Sequence, residues 1–437
     1  LSFVLVAACR CGGADVSATR SGAQSPVDAV SGTLVSSGNG APPPTVAPSQ
    51  RLPCDSTRLV EGRAMPPVAS RPKPAKGVLH EEPTFHTCIV RVTDHAREGL
   101  AEFSRNDYSR RQAFNADSSR FLTVTGDGTW RIYDVRTLES QKAPDLAGDA
   151  EPHWHPTDPN ILFYGANNGG LEIMALDIRK GTSQVVIDLR GKLPWPNAAR
   201  AWSKSEGSPS RNARYWGFQV ETDDFQILGF AVWDMVDKRL VGSIPVRSRP
   251  DHVSMSPSGR WFVSSGEETI AWSRDFKQKK IIRKGTEHSD LAIGANGHDY
   301  YVSIDYQSNE GWVFMTDLDT GERTDLFPTY VERSATALHI SGKAYDKPGW
   351  VLVSTYMGDG PKPQWFMEKI FAMELAKEPR IYPIASHHSD VGGEYFAEPH
   401  ATVNRDFTRI LFNSNWGKKA SRDIDAYLVR LAPNAFP

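Results

Sequence analysis

Seven polar or ionisable side chains stand about ten residues ahead of short apolar strands: Gln112, His153, Glu206, His252, Asp290, His339 and His400. Four are histidines. Neutral imidazole binds Mn, Fe, Ni, Cu and Zn, whereas hard cations want oxygen, and imidazole also exchanges protons near neutral pH. A denser run, HHSDVGGEYFAEPH, adds His387, His388, Asp390, Glu394, Tyr395 and Glu398 in front of His400. Glu398 and His400 are two apart, so on a strand they would point the same way. Tyr108, Arg110 and Arg111 precede Gln112, and Arg200 and Lys204 precede Glu206; arginine grips carboxylates bidentately. His288 lies two residues before Asp290 and competes with it for the fifth position. There is no H-E-x-x-H run, G-x-S-x-G elbow, P-loop or dinucleotide fingerprint. Such a ring can hold a ligand or can simply wet a solvated channel.

The elements that would gather these residues are hairpins. In DHVSMSPSGRWFV a strand led by His252 meets a Ser-Pro-Ser-Gly turn and a second strand from Arg260. The same register recurs from Gln112, His153, Glu206, Asp290 and His400, and with a longer turn from His339. A third strand, often ending in Asp and a turn, follows each hairpin, and several copies add a fourth. The period of roughly 40 to 50 residues is that of four-stranded radial blades. The fold expected is all-β, a seven-bladed propeller over residues 80–437. The last copy shows only three strands, so the segment TCIVRVTD (87–94) is expected to supply its fourth and leave no open edge.

Residues 1–9 end in Val6-Ala7-Ala8-Cys9, which resembles a bacterial lipobox and makes Cys9 the expected site of lipid attachment. Residues 10–79 are expected to be a disordered tether and extension, since the stretch from 12 to 50 is rich in Ser, Gly, Ala and Pro. The expected location is exported, lipid-anchored in the periplasm or at the outer membrane or cell surface. That compartment permits a disulfide between Cys54 and Cys88. A formal charge of -2 argues against a broad nucleic-acid surface. No later segment is long and apolar enough to span a bilayer as a helix, and a monomer is expected.

The SPSG turn and the segment NRDFTRILFNSNWG resemble the repeats of TolB-like propellers. Within that group the chain is similar to oligogalacturonate lyases, loosely over residues 80–437 and specifically over EPHATVNRDFTRILFNSNWG (398–417). The resemblance implies an acidic oligo- or polysaccharide partner and a divalent metal in the funnel, manganese first, with calcium or zinc as alternatives. Its ligands here would come from His288, His339, His388, Glu398 and His400. Where the family has Gln-x-x-His-x-His, this chain has Ala397-Glu398-Pro399-His400-Ala401-Thr402, so at most one histidine matches. Ulvan lyases share the architecture.

For a uronate lyase the expected roles follow from β-elimination. A metal or Arg111 would neutralise the substrate carboxylate, His153 or His252 would take the α proton, and Tyr395 or a water would protonate the leaving oxygen. Gln112, Glu206, Arg200 and Tyr108 are the expected substrate contacts. Two other classes stay open: a non-catalytic cell-surface propeller binding a glycan, peptide or protein, and a hydrolase or other metal-dependent enzyme.

Overall fold

Alternating apolar residues and turn-forming pairs build antiparallel hairpins throughout the computed structural model, which describes residues 57–437 apart from 66–70, 83, 144–145 and 205. Cys9, the stretch to residue 56 and Cys54 lie outside the described residues. The hairpins grow into seven successive blades, the inner strands being Phe103–Arg105, His153–Trp154, Arg200–Trp202, His252–Met255, Ser289–Ile293, Ala335–Ser341 and Thr402–Val403. Blade 4 shows the design. Its strands His252–Met255, Trp261–Ser265, Glu268–Ser273 and Lys279–Lys284 pair antiparallel in chain order. The inner two are buried throughout, whereas the outermost, KKIIRK, shows only partly buried and exposed side chains.

Third strands end alike. Asp134, Asp177, Asp234 and Asp317 close them in blades 1, 2, 3 and 5, and each carboxylate accepts the backbone N–H groups two and three residues onward. An Asp side chain thereby replaces the backbone partners the turn removes. Between blades 4 and 5, Asp299 accepts from Ser256 Oγ at 2.7 Å and from the Ser258 N–H at 3.0 Å, so one blade fixes the Ser-Pro-Ser-Gly turn of the other.

The last blade takes strands from both ends of the sequence. Thr87–Arg91 pairs antiparallel with Ile424–Arg430 in the register Cys88↔Arg430 to Arg91↔Tyr427, and a further strand, Leu79–Glu82, pairs outside it. Ile424–Arg430 also meets Phe103–Arg105 of blade 1 in parallel. The joint is electrostatic as well as hydrogen-bonded. Asp425, wholly buried, accepts from Arg91 at 2.6 and 3.1 Å, from Thr93 Oγ1 at 3.0 Å and from the His95 N–H at 3.0 Å, with Lys73 Nζ at 2.8 Å. Cys88 is disulfide-bonded. The extension joins the propeller earlier than residue 80: Leu59 is in the core of the last two blades, the Leu59 N–H donates to Ala435 O, and the Gly62 N–H donates to Ile381 O. Apolar Leu59 gives that stretch something to bury, unlike the Ser/Gly/Pro run before it.

Candidate active site where the blades converge

The segment 105–112 leaves the inner strand of blade 1 and returns at Phe114, which bridges to Phe121. On the way it touches every other blade. The Asn106 N–H donates to Asn413 Oδ1 at 2.7 Å and Asn106 Nδ2 donates to His400 O at 2.6 Å in blade 7. Gln112 Nε2 donates to Val403 O at 3.2 Å and to Lys343 O, in the hairpin of blade 6, at 3.4 Å. Arg110 Nε donates to Ser289 O in blade 5 at 2.6 Å, and its Nη1 lies 2.9 and 3.0 Å from the two ring nitrogens of His252 in blade 4. The same Nη1 donates to Glu206 Oε2 in blade 3 at 2.6 Å. Arg111 Nη1 donates to Pro152 O, ahead of blade 2, at 3.1 Å.

Glu206 reaches that meeting point because of its neighbour. A Cβ on Gly207 would lie 1.8 Å from Val253 O, so only glycine lets this backbone press against the inner strand of blade 4. The inner strand of blade 3 runs from Arg200 to Trp202, before Glu206, and Glu206 projects from the loop that follows it. Burial pushes the Glu206 carboxyl up to about 6, with Arg110 pulling the other way. Burial and then Arg110 push His252 down to about 4, so its imidazole is neutral near neutral pH.

A second group stands against Tyr108. His339 Nε2 is 2.7 Å from Glu398 Oε2, and His400 Nε2 is 3.4 Å from the same oxygen. All three ligand atoms lie within 4.8 Å of one another. His339 Nδ1 and both ring nitrogens of His400 are buried without a hydrogen-bond partner, an arrangement that is costly unless something coordinates them. His288 stacks on His339 with centroids 4.4 Å apart; its Nδ1 donates to Leu338 O at 2.7 Å, which leaves Nε2 as the lone-pair nitrogen. Burial lowers the pKa of His288, His339 and His400, so all three favour the neutral form that binds metals. The residues present therefore fit a divalent ion of the imidazole-preferring kind.

Glu398 and His400 converge by a route other than strand pleating. Glu398 caps the short turn Tyr395–Ala397, and His400 adopts a left-handed φ of 38° before the strand begins at Thr402. The Asn106–Asn413 pair and the bond from Asn106 to His400 O hold that backbone. Tyr108 and Tyr395 each place a ring 5.0 Å from His400, and Tyr395 is 40% exposed, on the open side.

Other candidates lie elsewhere. His388, also left-handed with φ 55°, turns away from the His339 group and faces Glu82. Arg111 is directed to Asp107 at 2.6 Å and to Pro152 O, and Arg110 instead reaches His252 and Glu206. Arg200 bonds Asp223 and covers the Phe225 ring on the rim. His153 is buried edge-on to Trp216 at 5.7 Å. Gln112 stitches blade 1 to blades 6 and 7, and Asp290 accepts from Lys343 Nζ at 2.9 Å and from the Gly342 N–H at 2.7 Å. Trp154, Trp202 and Trp216 are buried and donate their indole N–H to Ala113 O, Glu221 and Ala213 O, so they pack the blades. Lys343 sits in the longer turn of the sixth copy, where the repeat has no aligned position to flag it.

No protein-family model and no curated protein matches the chain. Among solved structures it is similar to an oligogalacturonate lyase in complex with manganese, at 13% identity and a TM-score of 0.58 over 82% of this chain and 97% of that one. It is equally similar to the oligogalacturonate lyase of Vibrio parahaemolyticus, at 13% identity and 0.58, over 82% of this chain and 98% of that one. The likeness is one of fold: this chain is a β-propeller similar in fold to those lyases.

Proposed function

We propose that the protein is a carbon–oxygen lyase that cleaves a uronate-containing oligo- or polysaccharide by β-elimination where its blades converge. One observation carries the reading: the buried His339–Glu398–His400 group shares the Tyr108 ring with the Arg110 cation, which lies 5.1 Å from the ring centre. A metal-ligand set next to a fixed arginine suits a substrate whose reacting carbon bears a carboxylate. A solved lyase of similar fold is in complex with manganese, which supports the same use here.

Elimination requires that the proton α to the carboxylate leave, that its electron pair form the new C=C bond, and that the C–O bond to the leaving sugar break with its oxygen protonated. A divalent ion held by His339, His400 and Glu398, manganese or zinc in preference to calcium given two imidazoles, would supply positive charge to the substrate carboxylate. Arg110 adds fixed positive charge beside Tyr108. His252 is the base: it is neutral, and Asp251 Oδ2 lies 3.2 Å from its Nδ1 to balance the imidazolium that forms. Substrate entry must free its Nε2 from the Arg110 Nη1 contact at 2.9 Å. His153 packs edge-on to Trp216, and the charged groups acting on it among the described residues are the cations Arg111 and Lys343. Tyr395, exposed beside His400, protonates the leaving oxygen, either directly or by ordering a water.

We also place the protein outside the cytoplasm, lipid-anchored through Cys9 in the periplasm or at the outer membrane, acting as a monomer on acidic glycans and not on nucleic acid. The lipobox-like sequence supports this, as does the disulfide at Cys88, a bond of oxidising compartments. A panel of acidic polysaccharides, followed for the ultraviolet absorbance of conjugated unsaturated uronate, tests the activity. A non-catalytic binding propeller would retain a glycan without that absorbance.

A further inference from the structure

A second histidine and carboxylate group lies at the seam where the N-terminal strands join the last blade. His80 and Glu82 are two apart on the strand Leu79–Glu82 and so share a face. His388 comes from the connection between blades 6 and 7 and turns towards them through its left-handed backbone. Glu82 Oε2 and His388 Nε2 stand 3.4 Å apart, with side chains only 5% and 9% exposed. That ion-pair contact does not meet hydrogen-bond geometry at either atom, and His80 Nε2 is buried and unpartnered. The other Glu82 oxygen, Oε1, accepts the Thr84 N–H at 3.4 Å, which orients the carboxylate. Trp416 backs the group, its ring 4.4 Å from that of His388 and 5.9 Å from that of His80.

Two unsatisfied ligand atoms side by side, Glu82 Oε2 and His388 Nε2, with the unpartnered His80 Nε2 on the same strand face as Glu82, are expensive unless a partner satisfies them. Two donors bound tetrahedrally to one ion at about 2.0–2.1 Å stand roughly 3.4 Å apart, the separation found for Glu82 and His388. The centroids of the His80 and His388 rings are 6.5 Å apart and the rings are edge-on, so His80 must swing towards the Glu82–His388 pair to complete the set. Two imidazoles and one carboxylate select a zinc-class ion, with a fourth position left for water.

We propose that His80, Glu82 and His388 bind a divalent transition-metal ion of the zinc class, separate from the His339 group, which clasps the N-terminal strands to the connection that enters the last blade. Because its ligands come from distant parts of the chain, binding there stabilises the closed ring.

The test is metal stoichiometry and affinity of the chelator-stripped full chain titrated with Zn²⁺ and with Co²⁺, which also reports through Trp416 quenching. The expected result is one equivalent that survives in H339A/H400A and is lost in H388A. E82Q should weaken that equivalent about tenfold or more, and W416F should remove its share of the Co²⁺ quenching. H388A should also lose the rise in melting temperature that Zn²⁺ gives the wild type. Should H388A not fold, E82Q carries the same test, since it keeps shape and volume. The proposal is overturned if wild-type protein binds no ion, or if H388A and E82Q bind as many equivalents, as tightly, as wild type.

Discussion

Arg110 Nη1 donates to Glu206 Oε2 at 2.6 Å, joining the segment that crosses between the blades to a loop of blade 3. The guanidinium side chain is 4% exposed and also bonds Ser289 O and the His252 ring. One cation thus ties blades 1, 3, 4 and 5 at the point where the proposed chemistry occurs. Arg110→Ala should lower kcat/KM for uronate elimination by about a hundredfold or more and destabilise the fold by about 3 kcal/mol, because Glu206 would lose its counter-charge. Arg110→Lys should recover part of the stability and little of the activity, since one ammonium cannot reach three partners. Steady-state kinetics with urea melts of both variants check this; full activity in Arg110→Ala would contradict it.

Gly207→Ala should act on the same pair without touching either charge. The added Cβ would meet backbone oxygen of Val253, not a movable side chain, so the loop carrying Glu206 must shift. A loss of about 2 kcal/mol or more is expected, with a drop in kcat/KM. An unchanged melting curve would show that the loop relaxes freely.

Stability should fall as the solution is acidified from pH 6.5 towards 4. His252 and His387 are each held at about 4 by burial, against 6.5 in an unfolded chain. The unfolded state takes up protons first, so the stability these two contribute is complete above 6.5 and is lost as pH falls through that window, roughly 3 kcal/mol each. Glu206 has the opposite sign. Its carboxyl is raised to about 6 from 4.5, so its contribution is complete below 4.5 and lost as pH rises through 6, roughly 2 kcal/mol. The histidines outweigh it. Urea midpoints across this range should decline with acid, less steeply in His252→Gln and more steeply in Glu206→Gln; a midpoint that rises towards pH 4 would contradict the assignment.

Asp425→Ala should destabilise the protein by about 3–5 kcal/mol, since Arg91 stays buried at the joint with Asp94 as its remaining ion-pair partner among the described residues. Thermal melts decide it. A change below about 1 kcal/mol would mean that the joint of the first and last strands rests on apolar packing alone.

The blades were legible because two signals repeat: a hairpin turn at one register and an Asp that closes the third strand. Both are local chemistry, visible without knowing what packs against what. The N-terminal segment 87–94 was legible as a missing partner for the last blade, whereas Leu79–Glu82 was not, since three of its four residues are polar. The site was only half legible. His252, His339 and His400 follow from register. Glu206 is brought in by a glycine contact with another blade, and Arg110 and Lys343 sit in irregular segments whose course depends on tertiary packing. His388, adjacent to a buried histidine and close in sequence to Glu398, goes elsewhere because its left-handed backbone turns it towards Glu82. Sequence proximity carries no information about that.

The most direct test of the central claim compares wild type, H339A and H400A, stripped of metal and re-supplied with Mn²⁺, on oligogalacturonate and other acidic oligosaccharides. The expected result is unsaturated-uronate absorbance from metal-loaded wild type, its loss on chelation, and a fall of at least about a hundredfold in each variant. Elimination that proceeds unchanged in both variants, or glycan binding by wild type with no unsaturated product across the panel, would contradict it.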